Sequence, residues 1–356
     1  MKAPPKTLRS IAELDAAGIV RGEDRAALEA VAARYAVAIS PILTDLIDPA
    51  DPHDPIARQF VPDPAELTTT AQERADPIGD DPASPVEGVV HRYPDRVLLK
   101  LVHVCPVYCR FCFRRAMVGP SGRPSLSQTE LLAALAYIRA HPEIWEVILT
   151  GGDPLILSDR MLGSVLSALA AIPHVKIIRI HTRVPIVMPD RITTDLIRTL
   201  RGSGRTTYVV LHANHPRELT LAARIACGHL IDAGIPMLSQ SVLLRGVNDD
   251  IDTLASLMRA FVEARIKPYY LHHADLAPGT GHLRTTLAEG EALARSLRAR
   301  VSGLAQPAYV LDIPGGAGKV PVGPHYLDSA SEAGNCGQRE IRDLQGRPHL
   351  YPPAAD

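Results

Sequence analysis

The chain has 356 residues, a net charge of −1 and 46% apolar residues, which is enough for one large or two modest domains. That charge balance argues against a general binder of nucleic acid or anionic membrane, and no window approaches the roughly eighteen apolar residues of a membrane span. The first residues lack the apolar run of a secretory signal, and five cysteines, an odd count, do not make a disulfide framework, so the expected compartment is the cytoplasm.

Residues 1 to about 50 read as helices, from the three-and-four spacing of apolar residues in IAELDAAGIV and EDRAALEAVAARYAVAI. The segment DPADPHDPIARQFVPDPAEL then predicts an extended, wrapping strip, because each residue before a proline is pushed out of the helical region. Its acidic stretch at 46–54 reads as a solvated part of the wrap rather than a metal site. From Asp95 onward short apolar runs alternate with helical patterns: RVLLKLVHV, WEVILTGG, HVKIIRIHT, TTYVVLHA, PMLSQSVLL and KPYYLHHA. Six such units predict an α/β fold of parallel strands, as an open sheet or a partial barrel. The expected organisation is a helical and proline-rich region at 1–90, the strand–helix array at 91–300 and a C-terminal segment at 301–356. Polar clusters fall at all six strand ends, including GGDP, HTR, HANHP and HHAD, where α/β enzymes carry their chemistry.

Three of the five cysteines, Cys105, Cys109 and Cys112, follow the first of these strands with the spacing C-x3-C-x2-C. Buried structural cysteines rarely cluster in a polar loop, zinc would want a fourth ligand, and a redox dithiol leaves one thiol over. Three thiolates suit an iron–sulfur cubane with one iron free of protein ligands. The neighbouring Arg110, Arg114 and Arg115 are expected to favour the thiolate forms. Cys227, inside the helical pattern ARIACGHLIDAG, reads as a packed core thiol.

The triad at the end of a first strand resembles the signature of the radical S-adenosylmethionine (SAM) enzymes. That resemblance implies a partial (β/α)6 barrel, a [4Fe-4S] cluster that cleaves SAM to a 5′-deoxyadenosyl radical, and a SAM contact at Gly151-Gly152-Asp153. A second constellation, Asp312-Ile313-Pro314-Gly315-Gly316-Ala317-Gly318-Lys319, is not a phosphate loop, since Ile313 stands where its first glycine belongs and Val320 where its hydroxyl belongs. A lysine on a glycine-rich loop can instead attack a carbonyl, and pyridoxal 5′-phosphate (PLP) is the usual partner.

Together the two motifs resemble lysine 2,3-aminomutase, over about residues 45–326. HRYPDRVLL, GGDP, NHP, QSVLLRGVND, PYY and DIPGGAGKVPV are all similar to that family. The resemblance implies that Lys319 binds PLP covalently, that Tyr93 and Arg96 contact it, and that Gln240 lies near SAM. It also implies that Arg114 pairs with the substrate carboxylate and that Asp275 and Asp312 clamp a substrate ε-ammonium. It implies an isomerase moving an amino group between Cα and Cβ of L-lysine, and an electron donor such as a flavodoxin or ferredoxin.

The C-terminal cysteine-rich segment of the long family members is absent, and Asp250 stands where a zinc-ligand cysteine is expected, so zinc is not expected and the oligomeric state is open. In length the chain resembles the shorter relatives that make (R)-β-lysine for elongation factor P. Two further alternatives are an aminomutase acting on another amino acid and a non-catalytic iron–sulfur protein keeping the fold. The sequence assigns no role to His212, His215, His272, His273 or Cys336.

Overall fold

A computed structural model describes residues 6–20, 24–119, 123–327 and 339–351; Cys336 lies outside them. The chain opens with helices α1 (Ile11–Ala16), α2 (Arg25–Arg34), α3 (Pro41–Leu46) and α4 (Ala57–Phe60). Ser10 caps α1 by accepting from the Glu13 N–H, and the helices bury Ile11, Leu14, Leu28, Leu43 and Phe60. These side chains belong to the same apolar cluster as the strands that follow, so extension and array share one core. The strip expected at 48–67 is extended except where it forms α4 and a short turn at Pro64–Leu67, and irregular chain, with a further turn at Asp81–Ala83, continues to residue 88.

Among the described residues the main sheet has nine strands in sequence order: β1 (Val89–Tyr93), β2 (Arg96–Val102), β3 (Glu146–Gly151), β4 (Ile177–Thr182), β5 (Thr206–His212), β6 (Met237–Leu243), β7 (Lys267–His273), β8 (Ala308–Ile313) and β9 (Gly318–Pro321). All six strands expected from the sequence are there, as β2 to β7, and all pair in parallel. Three more join them: β1 antiparallel to β2, β8 parallel to β7, and β9 antiparallel to β8. The residues around Lys319 are therefore part of the sheet and not a loose appendage. Between the strands lie α5 (Gln128–Ala140), α6 (Asp159–Ala170), α7 (Val184–Val187), α8 (Thr194–Arg201), α9 (Leu221–Asp232), α10 (Ile251–Glu263) and α11 (Leu287–Arg300). This is the partial barrel of parallel strands, and no described helix is long and apolar enough to cross a membrane.

Strand alternation sorts the two faces of the sheet. Ile178, Ile180, Val209, Leu211 and Leu271 enter the apolar cluster shared with the helices. The residues between them, Arg179, His181, His212, Tyr270 and His272, take the opposite face. Cys227 on α9 is fully buried in the apolar cluster, the packed thiol its sequence context suggests.

The two edge strands do not pair as strands, yet they meet. Tyr93 on β1 accepts a 2.6 Å hydrogen bond from the backbone N–H of Lys319 on β9, and Arg92 lies 3.9 Å from Asp312 on β8. The wrap closes the same gap. Gly79 adopts φ +71°, and a Cβ there would lie 2.3 Å from the backbone nitrogen of Gly316. Neither backbone can yield cheaply, so Gly79→Ala is expected to lower unfolding stability by about 2 kcal/mol in denaturant titrations, against about 0.5 kcal/mol or less for an ordinary surface change.

Candidate active site

After β2 the chain leaves regular structure and presents Cys105, Cys109 and Cys112, all as free thiols. Burial pushes all three thiols up, Cys109 to about 11, and the Asp153 carboxylate raises Cys105 further. Desolvated thiols of this kind favour the neutral form in the protein alone, and metal ions that replace the protons reverse that preference. Among the described residues no three His, Cys, Asp or Glu side chains converge on a single ion. Thiolates that each bind a different iron of a cubane need no such convergence, so the donor set fits a cluster.

The surrounding arginines are arranged differently from the sequence expectation. Arg110 is spent on Glu66, with Nε 2.9 and 3.1 Å from its two carboxylate oxygens, and on the Ala36 carbonyl at 2.8 Å. Arg115 binds the same carboxylate. Both tie the cysteine loop to the wrap, and of the three only Arg114 and Arg115 act on a thiol, by lowering Cys112 against its burial. Arg183, at the end of β4, is the side chain that reaches sulfur, with Nη1 3.4 Å from Cys109 Sγ. The sequence marked HTR as a polar strand end, but nothing local linked it to Cys109, 74 positions away.

At the end of β3, Gly152 lets two strand ends touch: a Cβ there would lie 2.1 Å from the Val104 carbonyl oxygen, beside the cysteine loop. Asp153 is buried, and its carboxylate accepts from the Thr182 hydroxyl at 2.7 Å and the Arg183 N–H at 2.7 Å. Burial raises this acid, against those hydrogen bonds. Its carboxylate thus braces β3 to β4, while Gly151 and Gly152 carry the backbone exposed at that strand end.

Lys319 lies at the far edge of the sheet. Its Nζ is ion-paired with Asp312, sits 3.2 Å from His272 Nδ1 and is 5.5 Å from the Tyr270 ring centroid. Despite burial, Asp312 is held well below the usual carboxylate range by His272 and Lys319. Asp275, just past β7, is pushed up to about 7 by burial and by the charge of Asp312, which Lys319 and Arg114 only partly offset. Arg96 stacks on Tyr93, its guanidinium carbon 3.8 Å from the ring centroid. Arg114 binds Asp80 of the wrap at 2.9 Å and approaches the Thr150 hydroxyl at 3.3 Å. Gln240 pairs in register with His212 on one side and Tyr270 on the other. The sheet thus gathers Lys319, Tyr93, Arg96, Asp312, Asp275, Arg114 and Gln240 with the ends of β2 and β3.

Other residues resolve into supports. His215 accepts from the Arg217 N–H at 3.3 Å, His273 bonds the Tyr309 hydroxyl at 2.8 Å, and Asp250 caps α10. Asp54, in the acidic stretch read as solvated, is buried, accepts from the Ile56 and Ala57 N–H groups where α4 begins and pairs with Arg217. His181 and His212 are half-buried, but their Nε2 atoms are buried with no protein partner, and desolvation holds both rings far below the usual histidine value. The neutral His181 imidazole, which feels the charge of Lys319, presents an open polar atom that fits a polar ligand such as PLP.

The radical SAM superfamily profile matches residues 99–258, and the profile described as lysine-2,3-aminomutase matches 294–338. An L-lysine 2,3-aminomutase of Clostridium subterminale is 43% identical over 83% of this chain and 70% of its own length. The chain belongs to the radical SAM lysine 2,3-aminomutase family. An L-lysine 2,3-aminomutase of Escherichia coli is 37% identical over 81% of the chain and 83% of its own length, so shorter forms occur among the relatives. A glutamate 2,3-aminomutase of Clostridioides difficile is also 37% identical, over 85% and 71%. The protein is thereby an isomerase of the radical SAM type, and that superfamily implies a [4Fe-4S] cluster and SAM.

Asp275 supplies a test that needs no cofactor. A carboxyl with a folded value near 7, against 3.8 unfolded, binds more protons in the native state. Its contribution is fully present below about pH 4 and is lost as pH rises through 7. Thermal unfolding of the cofactor-free protein is expected to show that decline, and Asp275→Asn to flatten it.

Proposed function

We propose that the protein interconverts L-lysine and β-lysine by a 2,3-amino shift, with PLP as a further cofactor. The observation that carries this is the carboxylate pair, Asp275 and Asp312, at the ends of neighbouring strands beside Lys319. Bound SAM and the cluster supply a hydrogen-abstracting carbon radical, and PLP supplies an electron sink for the migrating nitrogen.

Cys105, Cys109 and Cys112 hold three irons, and the backbone of Gly151, Gly152 and Asp153 with Gln240 faces SAM. Lys319 Nζ would hold PLP covalently, flanked by Tyr93 and Arg96, and Asp312 with Asp275 would accept the substrate's ε-ammonium. A desolvated ammonium carries three donors and needs such acceptors. Arg114, steered by Asp80, takes the α-carboxylate, so the two ends of lysine fix Cβ between the cofactors. A glutamate side chain would meet two carboxylates at the ammonium position, a like-charge contact costing several kcal/mol. The electron comes from a small one-electron donor protein of the flavodoxin or ferredoxin kind.

The test is anaerobic turnover of the reconstituted protein with SAM, PLP and a reductant, offered lysine and glutamate in parallel. Lysine is expected to yield β-lysine, and Lys319→Ala and Cys109→Ala to abolish it. Because Asp275 must ionise to hold the ammonium, KM for lysine is expected to fall as pH rises through about 7, and Asp275→Asn to raise KM and remove that dependence. Turnover of glutamate in preference to lysine would reject the reading.

A further inference from the structure

Arg183 is almost fully buried at the junction of β4 and α7, yet its positive charge is spread over three partners. Nη1 donates toward Cys109 Sγ at 3.4 Å; Nη2 donates to Gln59 Oε1 at 2.8 Å and to Glu218. The guanidinium lies 4.7 Å from the Phe60 ring centroid and 5.6 Å from that of Phe111, so apolar faces hold it and keep water away. Its backbone N–H binds Asp153 at 2.7 Å, which fixes the arginine to the end of β3 as well.

The frame around it is equally rigid. Glu218 is fully buried, and its Oε1 accepts from the backbone N–H groups of Asn214 at 2.8 Å and His215 at 2.9 Å. Gln59 Nε2 reaches the same oxygen at 3.2 Å, and Asn214 Nδ2 donates to Gln59 Oε1 at 3.1 Å. Oε1 therefore serves the strand end, while Oε2 holds the guanidinium. Balancing Glu218 does not by itself require an arginine that also reaches a sulfur. The fork of Arg183 does both, and of the three cysteine sulfurs Cys109 is the one with such a donor among the described residues.

A cationic donor beside a cluster sulfur stabilises the more negative, reduced cluster, because hydrogen bonds and net charge around the sulfurs set its potential. An anion at the same distance does the opposite, more strongly in a dry interior than in water. We propose that Arg183, held by Glu218 and Gln59, is the residue that sets the reduction potential of the cluster through Cys109. It is a positioning residue acting through a ligand, and the pair gives each member an opposite effect. The step concerned is the gain of one electron by the cluster from its donor, before any bond of SAM or substrate changes. It rests on the cluster assignment and not on PLP or on lysine as substrate.

The experiment is an anaerobic redox titration of the reconstituted protein followed by electron paramagnetic resonance, with iron and sulfide content measured on each sample. Arg183→Gln is expected to lower the midpoint at least tenfold in the reduction equilibrium, about 59 mV for one electron. Arg183→Lys keeps the charge without the fork and is expected to shift the midpoint less, in the same direction. Glu218→Gln retains the oxygen that caps Asn214 and His215 but loses the charge, and is expected to raise the midpoint. Midpoints unchanged in the loaded Arg183→Lys and Glu218→Gln proteins, or shifts of the same sign in Arg183→Lys and Glu218→Gln, would overturn the proposal. So would variants with parental circular dichroism that take up no cluster, since Arg183 would then serve assembly. A parental protein with no cluster would instead reject the underlying assignment.

Discussion

The half-buried ammonium of Lys319 is held beside the carboxylate of Asp312, and much of this structure arranges that one pair. Lys319 sits on β9 and Asp312 opposite it on β8, in register across an antiparallel pair. The charges continue outward in alternation: Asp312 faces Arg92, Arg92 binds Asp80, and Asp80 binds Arg114. Removing one member takes a counter-charge from neighbours that are largely buried, which is costlier than never having built the pair. The chain of charges joins the sheet's two edges to the N-terminal wrap and to Arg114 of the cysteine loop.

The wrap is therefore more than a covering. Glu66 fixes Arg110 and Arg115 of the cysteine loop, Glu73 fixes Arg284 and the Gly279 N–H, and Asp80 fixes Arg92 and Arg114. These three acidic residues of the proline-rich strip thus land on basic or backbone donors from elsewhere in the chain. Prolines keep the strip extended, so its side chains can reach three parts of the barrel in succession.

The six central strands were legible because each is a short apolar run followed by a helical pattern, and their polar ends marked the active face. The three strands that escaped notice lie inside motifs read for their chemistry: β1 carries HRY, β8 contains Asp312 and β9 begins at Gly318. The cysteine triad, the glycine-flanked Lys319 and the aspartates were singled out by spacing and resemblance. Their protein partners could not be, because Glu66–Arg110, Asp80–Arg114 and Arg183–Glu218 join residues 44, 34 and 35 positions apart with no periodic signal. The local guess, that arginines adjacent to cysteines serve the thiols, failed for Arg110 because its side chain turns toward the wrap. Arg183 took the role at Cys109 because parallel strands bring their ends together whatever their distance in sequence.

If the lysine held by Asp312 carries the cofactor aldehyde, borohydride reduction of the PLP-loaded protein, followed by digestion and mass mapping, yields a pyridoxyl adduct on Lys319. An adduct on Lys100, a buried lysine of β2, would contradict it.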